Sequence, residues 1–353
     1  MKLNLTIIFS ILALNFCFGQ NPKENNLASI MEKFSDSIIA KKYGMVGLHE
    51  TNGRTEKYAI GLAYENEKMT TDKIFNIGSL TKMFTSVLVL QEIEKGNLSL
   101  SDTIGAFFPK ELCQNDNVDL GITIENLLYH RSGLGEVVVD SIVNQAFQNP
   151  FFEYNHSFLF NKIPKPHFKK DLKYEYCNTN YILLGYILEI INDKSYSDLL
   201  NERIFKPCKM KNSYGYFSKS LDNIAHPIFE GQDLMPYMFY HYFKNYSFSA
   251  GGIASTIDDL NDFFTHLYTT DVLISRNSFT KMISFKDDYG LGIERIELKR
   301  NGNKTVYFGH AGDNISFKIR NYYNPKTQEM IILLANQWLD PYIDKVRKQL
   351  LNN

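Results

Sequence analysis

The sequence predicts an α+β fold: an antiparallel sheet of about five strands drawn from both chain ends, flanked by helices, plus a mostly helical lobe built from the middle. Three observations predict it. Near the N-terminus, two strand-like runs in "MVGLHETNGRTEKYAIGLAYE" flank Asn52-Gly53, a strong hairpin signal. Near the C-terminus, "TVYFGH", "NISFKIRNYY" and "EMIILLAN" read as three further strands, the last two joined by a turn at Asn324-Pro325. Between these ends the apolar spacing is helical. At 353 residues the chain is long enough for a sizeable core. One domain is expected over 20–353, with a sheet lobe from about 24–75 and 285–353 and a helical lobe from about 80–270.

Taken in order, residues 1–19 form a different kind of sequence. One lysine precedes an apolar run from Leu5 to Leu14, and the small residues Cys17 and Gly19 follow. This reads as a signal peptide cleaved after Gly19, too short to hold the chain stably in a bilayer, so a periplasmic or secreted protein is expected. An acylated Cys17 is the alternative, and the bulky Phe16 before it opposes that reading. Residues 24–42 place Leu27, Ile30, Met31, Phe34, Ile38 and Ile39 on one helical face. "SLTKMFTSVLVLQEIEKG" is a second helix, with Gly96 at its terminating position. Residues 136–172 carry few signals and are expected to be loop. "NTNYILLGYILEIIN", 178–192, is a buried helix, and a last helix is expected over about 339–351.

Composition narrows the function classes. Hydrophobic residues make up 44% and charged residues 22%, with a net charge of -1 and no basic block. Nothing supplies the positive field that nucleic acid or an anionic membrane would need. Without the signal, Cys113, Cys177 and Cys208 remain, an odd number that leaves at least one thiol free even if Cys113 and Cys208 pair. The eight histidines show no metal-ligand spacing, so no metal or other cofactor is expected. No Gly-x-Ser-x-Gly occurs, which leaves an α/β-hydrolase unsupported.

The chemistry begins at "FNIGSLTKMF". Ser79 and Lys82 lie at i and i+3 and share a face at a helix start. A lysine there can take the serine proton if burial keeps it neutral part of the time. Ser278 and Lys281 have the same spacing with no other support, and Ser278 is expected to be a helix cap. "YCNTNYILLG" supplies Tyr176, able to shuttle a proton, and Asn178, able to orient a substrate. The similar Tyr64/Asn66 and Tyr322/Asn324 pairs fall at strand ends, where asparagine starts a turn. "GHAGDN" offers His310 and Gly312 between two strands, where a main-chain N–H can point at a carbonyl oxygen.

Ser-x-x-Lys, Tyr-x-Asn and His-x-Gly, in this order, resemble the serine β-lactamase and D-Ala-D-Ala peptidase superfamily, in particular its class C β-lactamase-related branch. "LLYHRSGL", 127–134, and "FSAGGIASTIDDLNDF" are similar to two accessory stretches of that family, and the likeness runs from about 27 to 337. The resemblance implies that Ser79 is the acylated nucleophile and that Lys82 and Tyr176 share acid and base duty, in an order it leaves open. It further implies that Asn178, His310 and Gly312 bind substrate, and that the backbone N–H groups of Ser79 and Asp313 form the oxyanion hole. Cys177, Asp313 and Ser316 depart from it, and Cys177 is expected to pack rather than react. Asp313 adds a negative charge where a substrate carboxylate would sit, and His310 gives less permanent positive charge than a lysine. An exported serine hydrolase acting on a small-molecule or peptide-like ester or amide is therefore expected. A true β-lactamase, a D-Ala-D-Ala carboxypeptidase and a peptidoglycan-binding relative without turnover are the alternatives.

Overall fold

Asn26 opens the ordered chain: its side chain accepts from the backbone N–H of Ser29 and caps the helix Leu27–Glu32. A second helix, Ser35–Ala40, follows at once. The single helix expected over 24–42 is thus two, broken at Lys33 and Phe34. The break sets the Phe34 ring 5.2 Å from Tyr342 of the last helix, and it leaves Ile39 46% exposed. The computed structural model describes residues 26–108, 114–138, 148–149, 151, 153–238, 242–337 and 340–352. The segment read as a signal peptide and Cys113 lie outside these residues. Cys177 and Cys208 are both buried free thiols.

Twelve strands occur among the described residues: β1 Gly44–Thr51, β2 Arg54–Tyr64, β3 Glu67–Lys68, β4 Phe75–Asn76, β5 Ile228–Phe229, β6 Gln232–Asp233, β7 Ala254–Ser255, β8 Glu294–Arg300, β9 Asn303–Gly309, β10 Ala311–Asn314, β11 Phe317–Tyr323 and β12 Met330–Ala335. Eight of them form the main sheet, in the order β3-β2-β1-β12-β11-β9-β8, with β10 paired to β11. All these pairings are antiparallel. The β1–β2 hairpin turns at Asn52 and Gly53, at φ 52° and 73°, the positive pair that a type I′ turn demands.

The sheet exceeds the expected five strands for a readable reason. β8 is additional: it pairs with the expected β9 in a second such hairpin, turning at Asn301 and Gly302 (φ 47° and 81°). Its strand "ERIELKR" is laden with charge because it lies at the sheet edge, where lysine and glutamate meet solvent. β12 is the opposite case, buried along its whole length. Ile332 and Leu334 pack into the main core with Val46 and Leu48, while Ile331 and Leu333 pack against Leu27, Ile30, Ile343 and Val346. The last helix, Tyr342–Leu351, closes that outer face.

The segment between the sheet halves folds largely into helices. Thr81–Glu94 is buried on all sides, with Phe84 stacked on Phe263 at 3.7 Å, and the chain turns at Gly96 with φ 76°. Asn178–Asn192 has the bounds its sequence predicts and is followed by Asp193 in the left-handed region. Within the stretch expected to be loop, Asn155 caps a short helix, His156–Lys162, by accepting from Phe158 N at 2.9 Å. The pair β4–β7 joins the chain entering Ser79 to the segment around Gly251. The Asn76 amide nitrogen faces the carbonyls of Gly251, Gly252 and Ile253 at 2.9, 3.2 and 3.1 Å.

Candidate active site

Ser79 sits in a single 3-10 turn, Gly78–Leu80, directly before the buried helix Thr81–Glu94. Gly78 is at φ 53°, and a Cβ there would stand 3.0 Å from the Asp313 amide nitrogen. Gly312 lies so close to the Ile77 carbonyl that a Cβ on it would overlap the oxygen. These two glycines let β10 press onto the turn, so the main chain of Asp313 lies beside Ser79.

One helical turn along, Lys82 is fully buried. Its Nζ lies 3.1 Å from Ser79 Oγ, 2.8 Å from Asn178 Oδ1 and 2.7 Å from the Ala250 carbonyl. The three protons of an ammonium thus meet three oxygens. Burial nonetheless pulls the Lys82 amine from its ordinary 10.5 down to about 7, against the opposing pull of Glu136, Cys177 and Glu294. Near neutral pH this lysine is neutral for much of the time. Tyr176 comes from the segment entering the helix Asn178–Asn192, and its hydroxyl hydrogen-bonds with Ser79. The residue keeps 37% of its surface exposed while the phenol end lies inside. Burial pushes the phenol well above 10, with the Ser79 bond pulling the other way. The Lys82 Nζ lies 4.8 Å from the centre of the Tyr176 ring. Hydroxyl, amine and phenol therefore converge, as the spacing of the motifs requires.

The accessory stretches hold this arrangement. His130, at φ 54°, accepts at Nδ1 from Cys177 N and faces Asn180 Nδ2, at 3.2 and 3.0 Å. Ser132 donates to Asn180 Oδ1 at 2.5 Å. "LLYHRSGL" thus docks the entrance of the helix Asn178–Asn192, just behind Tyr176. Burial drives the His130 imidazole well below 6.5, aided by Lys82 and His310, so it stays neutral. "FSAGG" supplies the Ala250 carbonyl to Lys82, and Ser249 Oγ donates to Tyr181 O at 2.8 Å. Glu136, which no motif or spacing singles out, accepts at Oε2 from Asn178 N at 2.8 Å and from Asn178 Nδ2 at 3.1 Å.

Other expected site residues fall differently. Asn178 lines the cavity over Ser79, a space of about 220 Å³ shared with Val138, Ser247, Asp313 and Ile315. His310 does not line it. The ring is 99% buried behind Tyr176, its Nε2 3.0 Å from Tyr289 Oη and its Nδ1 2.5 Å from the Ala311 carbonyl. Burial lowers its pKa from 6.5. Glycines around a histidine suggested an open strand edge, but β10 folds that edge inward. Gly312 acts through its fit against Ile77. The Asp313 carboxylate is not a free charge either, since Arg320 clamps it at 2.8 and 3.1 Å. Cys177 packs, with Sγ 3.5 Å from the Leu134 carbonyl and its thiol pushed up to about 12 by burial.

The second Ser-x-x-Lys is elsewhere and differently built. Ser275, not Ser278, caps the helix Arg276–Met282 by accepting from Ser278 N at 3.2 Å. Ser278 is one turn inside, so the expected cap is displaced by one serine. Asn324 starts its turn as expected, accepting from Lys326 N at 2.9 Å. Larger hollows, of about 730 and 630 Å³, lie away from Ser79, and among the described residues no serine lining them hydrogen-bonds to a lysine. No metal-holding group of histidine, cysteine, aspartate and glutamate side chains occurs among the described residues.

A family model described as Beta-lactamase matches residues 30–351. The chain belongs to the beta-lactamase family. It is 30% identical over 146 residues to penicillin-binding protein 4 of Amycolatopsis lactamdurans, a match covering 41% of this chain and 37% of that protein. It is 23% identical over 327 residues to protein flp of Staphylococcus aureus, covering 90% and 63%. The chain therefore spans less than two thirds of these relatives. Among solved structures, a D-stereospecific amidohydrolase from Streptomyces sp. superposes with a TM-score of 0.76 at 20% identity, covering 91% of this chain and 97% of that one. A penicillin-binding protein from Bacillus halodurans does so at 0.73 and 20%, covering 93% and 99%. A D-amino acid amidase from Ochrobactrum anthropi, in complex with L-phenylalanine, does so at 0.72 and 21%, covering 91% and 95%. These likenesses carry the fold.

Proposed function

We propose that this protein of the beta-lactamase family is a serine hydrolase that cleaves an ester or amide through an acyl-enzyme on Ser79. The observation that carries the reading is the buried Lys82, hydrogen-bonded to Ser79 and held near a neutral pKa, with Tyr176 on the same hydroxyl. Neutral Lys82 takes the Ser79 proton as Oγ attacks the carbonyl carbon. The developing oxyanion is met by the backbone N–H groups of Ser79 and Asp313, each such donor being worth about 3–4 kcal/mol of barrier. Tyr176, whose phenol stays protonated, delivers a proton to the leaving group as its bond to carbon breaks, and Lys82 resupplies it. Water then attacks the acyl carbon, giving a proton to Lys82, and the bond from carbon to Ser79 Oγ breaks as that oxygen takes the proton back. The pKa ordering favours Lys82 as first base and Tyr176 as shuttle.

The substrate reading rests on charge. Around the cavity His310 is buried, Asp313 and Arg320 neutralise each other, and among the described lining residues there is no lysine or arginine. An uncharged ester or amide suits that lining better than a carboxylate-bearing β-lactam or a peptide with a free C-terminus. The amidase neighbours make amides of amino acids a reasonable first series. The apolar run in residues 1–19 supports export. The deciding experiment is a panel of p-nitrophenyl esters, amino-acid amides of both hands and a chromogenic cephalosporin, run beside fluorophosphonate labelling. Turnover of an ester or amide with labelling at Ser79 is expected. Cephalosporin hydrolysis rivalling the best ester would overturn the substrate class, and labelling without any turnover would establish a binding protein instead.

A further inference from the structure

The Asn178 amide has two neighbours of opposite demand. On one side lies the Glu136 carboxylate, which accepts from Asn178 N at 2.8 Å and Asn178 Nδ2 at 3.1 Å with Oε2, and from Val138 N at 3.0 Å with Oε1. On the other lies Lys82 Nζ, 2.8 Å from Asn178 Oδ1. A carboxylate can only accept, so the amide nitrogen must face Glu136 and the amide oxygen must face Lys82. That direction matters once Lys82 is neutral. A neutral amine has two protons and one lone pair. With oxygens fixed at Asn178 Oδ1 and Ala250 O, both protons are taken, and the lone pair is left for Ser79 Oγ at 3.1 Å. With the amide reversed, Asn178 Nδ2 would donate into that lone pair and Ser79 would lose its base.

We propose that Glu136 is a positioning residue: by fixing the Asn178 amide it aims the Lys82 lone pair at the Ser79 hydroxyl. This rests on the serine-hydrolase reading of the same site. Glu136 also does local work. The helix Asn178–Asn192 has no side-chain cap of its own at Cys177, and Glu136 supplies the acceptor for its first N–H from a separate segment. The charged and titratable groups that bear on Lys82 are Glu136, Cys177 and Glu294, which favour its ammonium, and His130 and His310, which interact with it across the aromatic cluster. The Tyr176 and Tyr181 rings complete its surroundings. Of the two carboxylates, only Glu136 also touches Asn178.

The test compares wild type with Glu136→Gln and Glu136→Ala, recording kcat/KM against pH on whichever ester is turned over best, with Ser79→Ala as control. Loss of the clamp lowers the high-pH plateau about ten- to hundredfold, chiefly in kcat. Loss of the charge moves the acidic limb, set by Lys82, downward by roughly half a unit to one unit in both variants. The limb shift reports only the lost charge; a merely structural role would raise KM or lower the unfolding midpoint and leave kcat in place. Glu136→Gln keeps the volume and is measured even if Glu136→Ala does not fold. Because a glutamine amide can donate as well as accept, it no longer dictates the Asn178 orientation; an undiminished kcat plateau in Glu136→Gln, with Ser79→Ala inactive, overturns the Glu136 inference alone. Undiminished turnover in Ser79→Ala overturns the hydrolase reading beneath it.

Discussion

The chain carries Ser-x-x-Lys twice, and the two copies differ in everything but letters. At 79–82 the lysine is fully buried, the serine stands at the mouth of a cavity, and Tyr176 with Asn178 and Ala250 arrive from two other segments. At 278–281 the proportions are inverted: the serine is 97% buried inside a surface helix and the lysine is exposed. A hydroxyl next to a solvated ammonium is inert, because water keeps the amine charged. What converts the motif into chemistry is desolvation of the lysine together with enough acceptors to keep it in place.

The largest test of that contrast is Ser79→Ala against Ser278→Ala. The first is expected to abolish fluorophosphonate labelling and lower kcat by about 10⁴-fold or more. The second should leave kcat unchanged within twofold. Tyr176→Phe comes next, with a loss of about 10²- to 10⁴-fold that is greatest for poor leaving groups, as steady-state rates on an ester series would show. Then comes pH. With Lys82 as the proposed base, able to act only when neutral, kcat/KM should rise through about pH 7 and fall off below it as the ammonium forms. A flat profile from pH 5 to 8 would remove Lys82 from the base role. The smallest effect belongs to the second copy. Ser275→Ala should cost about 1 kcal/mol in denaturant unfolding as a lost cap, more than Ser278→Ala.

The same contrast explains what was legible beforehand. The helix 178–192 could be read to the residue, because its apolar face is continuous and its ends carry polar breaks. β1, β2, β9, β11 and β12 were legible from β-branched runs and turn residues. β8 was not, since its charged alternation suits an exposed edge and resembles loop composition. The helix expected over 24–42 kept its face except at Ile39 but not its continuity, because the Phe34–Tyr342 contact joins residues more than 300 apart in sequence. In the site, Ser79, Lys82, Tyr176 and Asn178 were readable because their spacing is local. Glu136 was not: its partner lies 42 residues away, and a lone carboxylate in an irregular stretch has no periodic signature. The burial of His310 and the Asp313–Arg320 pair are likewise products of strand register, in which Gly312 faces Ile319.

The stitch made by Asn76 has a consequence for how such a cleft can diversify. Because β4 and the Gly251–Ile253 carbonyls are bound into one piece, Ser79, Lys82 and the Ala250 wall form a fixed chassis. The remaining walls hang on separate supports: Val138 on the segment after Glu136, and Ile315 on the β10–β11 connection, where a β-branched residue is held at φ 43°. On the serine-hydrolase reading, those two attachments are the places where the shape of the cleft can change while Ser79 and Lys82 stay where they are.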